Sequence, residues 1–211
     1  SVMAGIDPNE EFDVTPYANE FFEYFLRNPI CQEMGRKFKV AFSSSSSDDA
    51  FTFIHDLGFI PRIENGIRGF RVLLGGGIGS QPMDAHEVFG FLTADKIIPY
   101  AEAVIRVFDR HGERNKRNKA RLKFLIKEIG IDSFKQLVKD EMVVVNHQTY
   151  SIEPKERDLK EAGFNGKPKT ISSPEFEAWK NTNIFKQKQE GYVSVGLPIK
   201  TGDISSDKSR L

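Results

Sequence analysis

Three clusters of residues carry charge or backbone geometry suited to holding an anion. The first is Arg36-Lys37-Phe38-Lys39, where alternation puts two ammonium groups on one face of an extended segment, about 7 Å apart by strand rise. The second is Gly75-Gly76-Gly77-Ile78-Gly79, four glycines in five positions. Backbone without side chains permits close approach there, but the run has neither the GxGxxG nor the GxxxxGK(S/T) spacing, so it supports no dinucleotide fold and no P-loop. In the third, Arg114, Lys116, Arg117, Lys119, Arg121 and Lys123 fall within eleven residues whose only acid is Glu113. Neighbouring like charges repel, and ordinary surface helices interleave signs, so this density calls for an anionic partner. Guanidinium forks suit carboxylates and phosphates. Each cluster also has a plain structural reading: a solvated strand face, a tight turn after a strand, and a solvated helix face.

The elements that must position these residues are legible from periodicity. Thr15 and Pro16 open an amphipathic helix carrying Tyr17, Phe21, Phe22, Tyr24, Phe25 and Leu26, which ends near Asn28-Pro29. Residues 37–42 alternate as a strand with one buried face. After the loop Ser43 to Ser47, Asp48 caps a short helix with Ala50, Phe51, Ile54 and Leu57 as its stripe, ending at Gly58. Strands over 59–64 and 67–74 flank Asn65-Gly66, a strong hairpin signal. A short apolar stretch covers 86–92, Thr93 caps a helix reaching Gly112, and a second helix follows Asn115, burying Ala120, Phe124 and Leu125 before Gly130. On that helix Arg117, Arg121 and Arg114 share a face. Asp132 opens a third, with Phe134, Leu137 and Val138 inside. The order β-α-β-β followed by helices predicts an α+β fold, a mixed β-sheet covered by helices.

The first 146 residues read as one folded domain. Residues 147–183 hold Pro154, Gly163, Gly166, Pro168 and Pro174 among scattered charges, a linker signature. The alternation of Tyr192 to Leu197 is a lone strand, which reads 184–211 as the truncated start of a second half-domain.

Over 211 residues the chain is 39% hydrophobic and 28% charged, with 18 Phe, enough to bury a sizeable core. Thirty basic residues balance thirty acidic ones, so no global field recruits nucleic acid or membrane. One cysteine, Cys31, permits neither an intrachain disulfide nor a Cys₄ metal site made by this chain alone. With no long apolar run and no leader pattern, the chain reads as cytoplasmic. His55, His86, His111 and His147 lack ligand-like spacing, so no metal-binding residue is assigned.

Gly35 to Lys39, Asp56-Leu57-Gly58-Phe59, Gly75 to Gly79, Ala101-Glu102-Ala103-Val104, and Asp109 to Arg114 continuing through Lys119-Ala120-Arg121-Leu122-Lys123-Phe124 together resemble the siroheme-containing sulfite and nitrite reductases. The likeness runs in order from about Asp13 to Val138 and covers that family's first siroheme-binding domain. It implies a siroheme-domain-like fold. It also implies a six-electron reduction of sulfite to sulfide, or of nitrite to ammonia, at siroheme coupled to a 4Fe-4S cluster, with electrons from a ferredoxin or a flavoprotein. Siroheme carries eight carboxylates, which would explain a site crowded with cations.

By this resemblance Lys37 and Lys39 contact the reacting anion and help supply protons, as the catalytic pair. Arg114, Arg117, Lys119, Arg121 and Lys123 grip siroheme carboxylates, and Gly75, Gly76 and Gly77 let backbone approach the macrocycle. The cluster cysteines belong to a later domain, and further anion-binding arginines would precede Ser1. The chain is then part of a site, inactive alone, whose partners are the remaining domains. A different class of function, a phosphate- or nucleic-acid-binding module on the basic helix around Arg117, needs nothing else of the chain. The zero net charge and the core spacing of Phe124 argue against it.

Overall fold

The computed structural model describes residues 1–79, 81–154, 171, 173–199 and 202–207. It divides into two compact units, Ser1–Glu156 and Arg157–Leu211. In the first, helices α1 (Thr15–Leu26) and α2 (Pro29–Gln32) precede β1 (Val40–Phe42), β2 (Leu57–Glu64), β3 (Ile67–Leu74) and β4 (His86–Thr93), and α3 (Ile97–His111), α4 (Leu122–Ile129) and α5 (Ile131–Glu141) follow. The sheet runs β1-β2-β3-β4. β1 pairs parallel to β2, and the other two pairings are antiparallel. The expected mixed sheet with covering helices is what forms.

Aromatic side chains build the core. Tyr17 and Phe21 on α1 pack against Phe42, Phe59 and Phe70, one from each of three adjacent strands, with centroids 5.4 to 6.0 Å apart in edge-on pairs. Phe42 and Phe59 stack at 4.8 Å, as the parallel register places them side by side. α3 is buried along most of its length. Its one buried acid, Glu102, accepts the Tyr24 hydroxyl at 2.5 Å and pairs with Arg106, which with Arg110 also reaches buried Glu141 on α5. No helix among the described residues is long and apolar enough to cross a membrane.

The hairpin turn lies at Asn65-Gly66, both residues in the left-handed region, and β2 begins two residues earlier than the pattern indicated. Four elements differ from expectation. The stretch 86–92 is a full strand, β4, whose pairing with β3 shifts register at two places. No helix forms over 50–57: Phe51 takes φ +51°, and only a 3₁₀ turn, Thr52–Ile54, follows before Leu57 enters β2. The lysine pair precedes β1, which starts at Val40. The helix expected from Asn115 begins only at Leu122, as α4, behind a 3₁₀ turn, Arg117–Lys119, and an extended Arg121. Dense like charge disfavours a helix there.

The first unit continues past residue 146. Tyr150 donates its backbone N–H to Asp95 O at 2.7 Å and its hydroxyl to Glu20 at 2.7 Å, and its ring meets Tyr24 and His147. Within the stretch read as a linker, 155–170 and 172 lie outside the described residues. Its end is helix α6 (Pro174–Asn183), capped by the Ser173 hydroxyl at Phe176 N. In the second unit β5 (Ile184–Lys186) pairs antiparallel with β6 (Val193–Val195), so the supposed lone strand has a partner.

Candidate functional site

Asp56, the last residue before β2, joins the three sequence clusters. Its carboxylate is fully buried and accepts the Lys39 backbone N–H at 2.8 Å. It also takes a two-point contact from Arg121, Nη2 at 2.7 Å and Nε at 3.2 Å. Its carbonyl accepts Gly75 N–H at 2.8 Å. Burial raises the Asp56 carboxyl above its ordinary pKa, while the Arg121 guanidinium and the Lys39 N–H pull it back.

The glycine run is folded tightly onto this acid. Gly75 has φ +88°, a conformation costly for other residues, and a methyl group at Gly76 would sit 2.2 Å from the Phe53 carbonyl oxygen. The N–H groups of Gly75, Gly76 and Gly77 bond to Asp56, His55 and Met83 carbonyls. Gly75 to Gly77 are buried with these N–H groups spent, and the part of the run that is exposed is Ile78-Gly79. Lys123, only 3% exposed, points its ammonium into the carbonyls of Gly77, Ile78 and Gln81 at 3.3, 3.3 and 2.6 Å. Burial, then Arg121, lowers its pKa. Lys123 therefore holds the turn from beneath, which differs from direct contact with a ligand carboxylate.

The other cations gather next to this junction in sequence. Arg36, Lys37, Arg114 and Arg117 line one polar cleft of about 370 Å³ with Met34, Gly35 and Ala120, and no acid lines it. The Arg114 side chain lies over bare Gly35, where any Cβ would overlap its guanidinium, and Nη2 pairs with Asp109 at 2.5 Å. Arg36 Nε is buried without a hydrogen-bond partner. Lys37 and Lys39 are exposed, as is Lys119, which lines neither this cleft nor the Asp56 junction. The structure thus brings Lys37 to Arg114 and Arg117, and ties the Lys39 backbone through Asp56 to Gly75 and Arg121.

Four cations facing one cleft, one with an unsatisfied donor, fit a polycarboxylate. An iron–sulfur cluster does not fit this chain: Cys31 is its one cysteine, half-buried, with a thiol pKa raised by burial. Among the described residues no group of three His, Cys, Asp or Glu could hold a metal ion.

Asp56 was not singled out from the sequence as a site residue, and Arg36 only as a member of the first cluster. The available signal for Asp56 was an acid set directly against the apolar run Leu57 to Ile60.

Residues 1–145 match the profile of the nitrite and sulphite reductase 4Fe-4S domain. The chloroplastic ferredoxin-nitrite reductase of Zea mays is 27% identical over 97% of this chain and 34% of its own length. The ferredoxin sulfite reductase 1 of Mycolicibacterium paratuberculosis is 34% identical over 67% of the chain and 25% of its own length. The NADPH sulfite reductase hemoprotein beta-component of Chromohalobacter salexigens is 37% identical over 49% and 19%. Among solved structures, the NirA protein of Mycobacterium tuberculosis superposes with a TM-score of 0.61 at 30% identity, over 74% of this chain and 28% of that one. The chain spans about a third of the length of the nitrite reductases it matches.

Proposed function

The chain belongs to the nitrite and sulphite reductase family, and from that membership we propose that it supplies part of the siroheme and anion pocket of an enzyme that reduces sulfite to sulfide or nitrite to ammonia. The activity belongs to the whole protein, since the relatives are about three times as long. The observation that carries the reading is the convergence of Lys37, Arg114 and Arg117 on one acid-free cleft, some eighty positions apart in sequence.

When bound, siroheme coupled to a 4Fe-4S cluster supplies the electrons; the cluster's thiolates come from outside this chain. Arg36, Arg114 and Arg117 bind carboxylates in the cleft, and the exposed Lys119 adds a cation for a further carboxylate. Lys37 and Lys39 hold the small anion by charge and deliver protons from their ammonium groups. Arg121 and Lys123 act from below, fixing the turn that Gly75 to Gly77 begin and so its exposed end, Ile78-Gly79, where a flat macrocycle can lie. A ferredoxin is the proposed donor, as the names of the Zea mays and Mycolicibacterium relatives suggest by analogy.

The test is the visible spectrum of the purified whole protein, with sulfite and nitrite turnover under a reducing donor. A siroheme spectrum with reduction of either anion supports the reading. A protein without siroheme, or one that reduces neither, overturns it.

A further inference from the structure

Resting on that reading, we propose that Asp56 is a positioning residue of the anion site, holding the Lys37–Lys39 segment, the glycine turn and Arg121 in one fixed arrangement. Each of these three segments carries candidate site residues, and each bonds to Asp56: Lys39 through its N–H at 2.8 Å, Gly75 through its N–H at 2.8 Å to the Asp56 carbonyl, and Arg121 through Nη2 at 2.7 Å. Leu57 N–H returns a bond to Lys39 O at 3.1 Å, so the lysine segment is gripped on both sides of residue 39. β1 itself is only three residues long and begins after the lysines. Without the Asp56 carboxylate, little ladder pairing would remain to fix where Lys37 and Lys39 lie.

Asp56 carries a charge of the sign that a cationic pocket should avoid. A fully buried acid beside an anion site weakens anion binding by Coulomb repulsion unless its geometric contribution is worth more. The two roles therefore predict opposite signs. A charge-only role predicts tighter anion binding in Asp56→Asn and unchanged binding in Asp56→Glu. Positioning predicts weaker binding in both, because the amide loses charge-assisted bonds to Lys39 and Arg121 and the longer acid displaces them.

The experiment uses the full 211-residue chain and uroporphyrin, a porphyrin with eight carboxylates, followed by fluorescence at two salt concentrations. Folding of each variant is checked by its amide NMR spectrum, and exchange of the Lys39 and Gly75 amides is measured alongside. Weakening of uroporphyrin binding by about tenfold or more in both folded variants, the scale of one charge-assisted hydrogen bond, supports positioning. Equal or tighter binding in folded Asp56→Asn overturns it; where that variant does not fold, unchanged binding in Asp56→Glu does so. If the unsubstituted chain shows no salt-dependent binding, the pocket reading above fails. Positioning is then decided by exchange: faster exchange at Lys39 and Gly75 in the folded variant sustains it, and unchanged protection overturns it.

Discussion

Arg121 meets Asp56 across 65 residues of sequence in a two-point contact, with the guanidinium 13% exposed and the carboxylate fully buried. Removing Arg121 strands the acid. We predict that Arg121→Ala costs about 3–5 kcal/mol at neutral pH, as for a broken buried pair. The pH dependence follows from the direction of the Asp56 shift. Its folded pKa is raised, so the folded chain binds this proton more readily than the unfolded one. The penalty for holding Asp56 ionised is therefore present above the folded pKa and relieved below the unfolded value. Loss of Arg121 raises the folded pKa further. The destabilisation should shrink as pH falls through it, as measured by urea unfolding from pH 7 to pH 4; a constant difference would exclude the pairing.

Lys123 gives a prediction about the glycine turn. Lys123→Met fills similar volume but leaves the Gly77, Ile78 and Gln81 carbonyls without its ammonium. The expected cost is about 1–3 kcal/mol, with faster exchange at the Gly77 and Met83 amides, which bond each other across the turn. Unaltered exchange there would show that the turn holds itself.

Backbone contact at Gly76 is also testable. Gly76→Ala drives a methyl group into the Phe53 carbonyl, whereas at Gly90 a methyl group meets only a Glu87 carboxylate oxygen at 3.6 Å. Gly76→Ala should lose about 1–3 kcal/mol or more through forced backbone movement, and Gly90→Ala far less, in parallel thermal melts.

The Tyr24–Glu102 bond belongs to the scaffold. Tyr24→Phe removes a 2.5 Å bond to a buried carboxylate, and we expect a loss of about 1.5–3 kcal/mol. Uroporphyrin binding by the folded variant should stay unchanged. A drop in binding would extend the site to α1.

In the whole protein, Lys37→Ala and Lys39→Ala should depress turnover with siroheme retained. Arg114→Ala and Arg117→Ala should lower the siroheme content itself, each losing a contact worth about 1.5–3 kcal/mol. Cofactor per protomer and turnover, measured on the same preparations, separate the two groups.

The hairpin was legible almost to the residue because Asn65-Gly66 specifies its own turn locally. β4 was not, because Gly90 interrupts it and the register shifts near Val72 break the alternation that marks a strand. Leu57 misled the reading of 50–57: its spacing suited a helix stripe, yet it faces the core from a strand. Arg121 was read onto a helix face, whereas it is extended ahead of α4 and bonds to Asp56. The role of Asp56 itself rests on partners 17 and 65 positions away, which no local pattern reports.

The same long closures bear on the order in which the chain assembles. β2 and β3 meet through a two-residue turn and can zip within microseconds, but the Asp56–Arg121 contact must close a loop of 65 residues, and Tyr150–Glu20 one of 130. Contacts so distant repay their chain entropy only once the intervening core is in place. We therefore expect the pocket to be a late product of folding, formed after the hairpin, so that a chain still emerging at Leu74 holds a sheet but nothing able to retain a porphyrin.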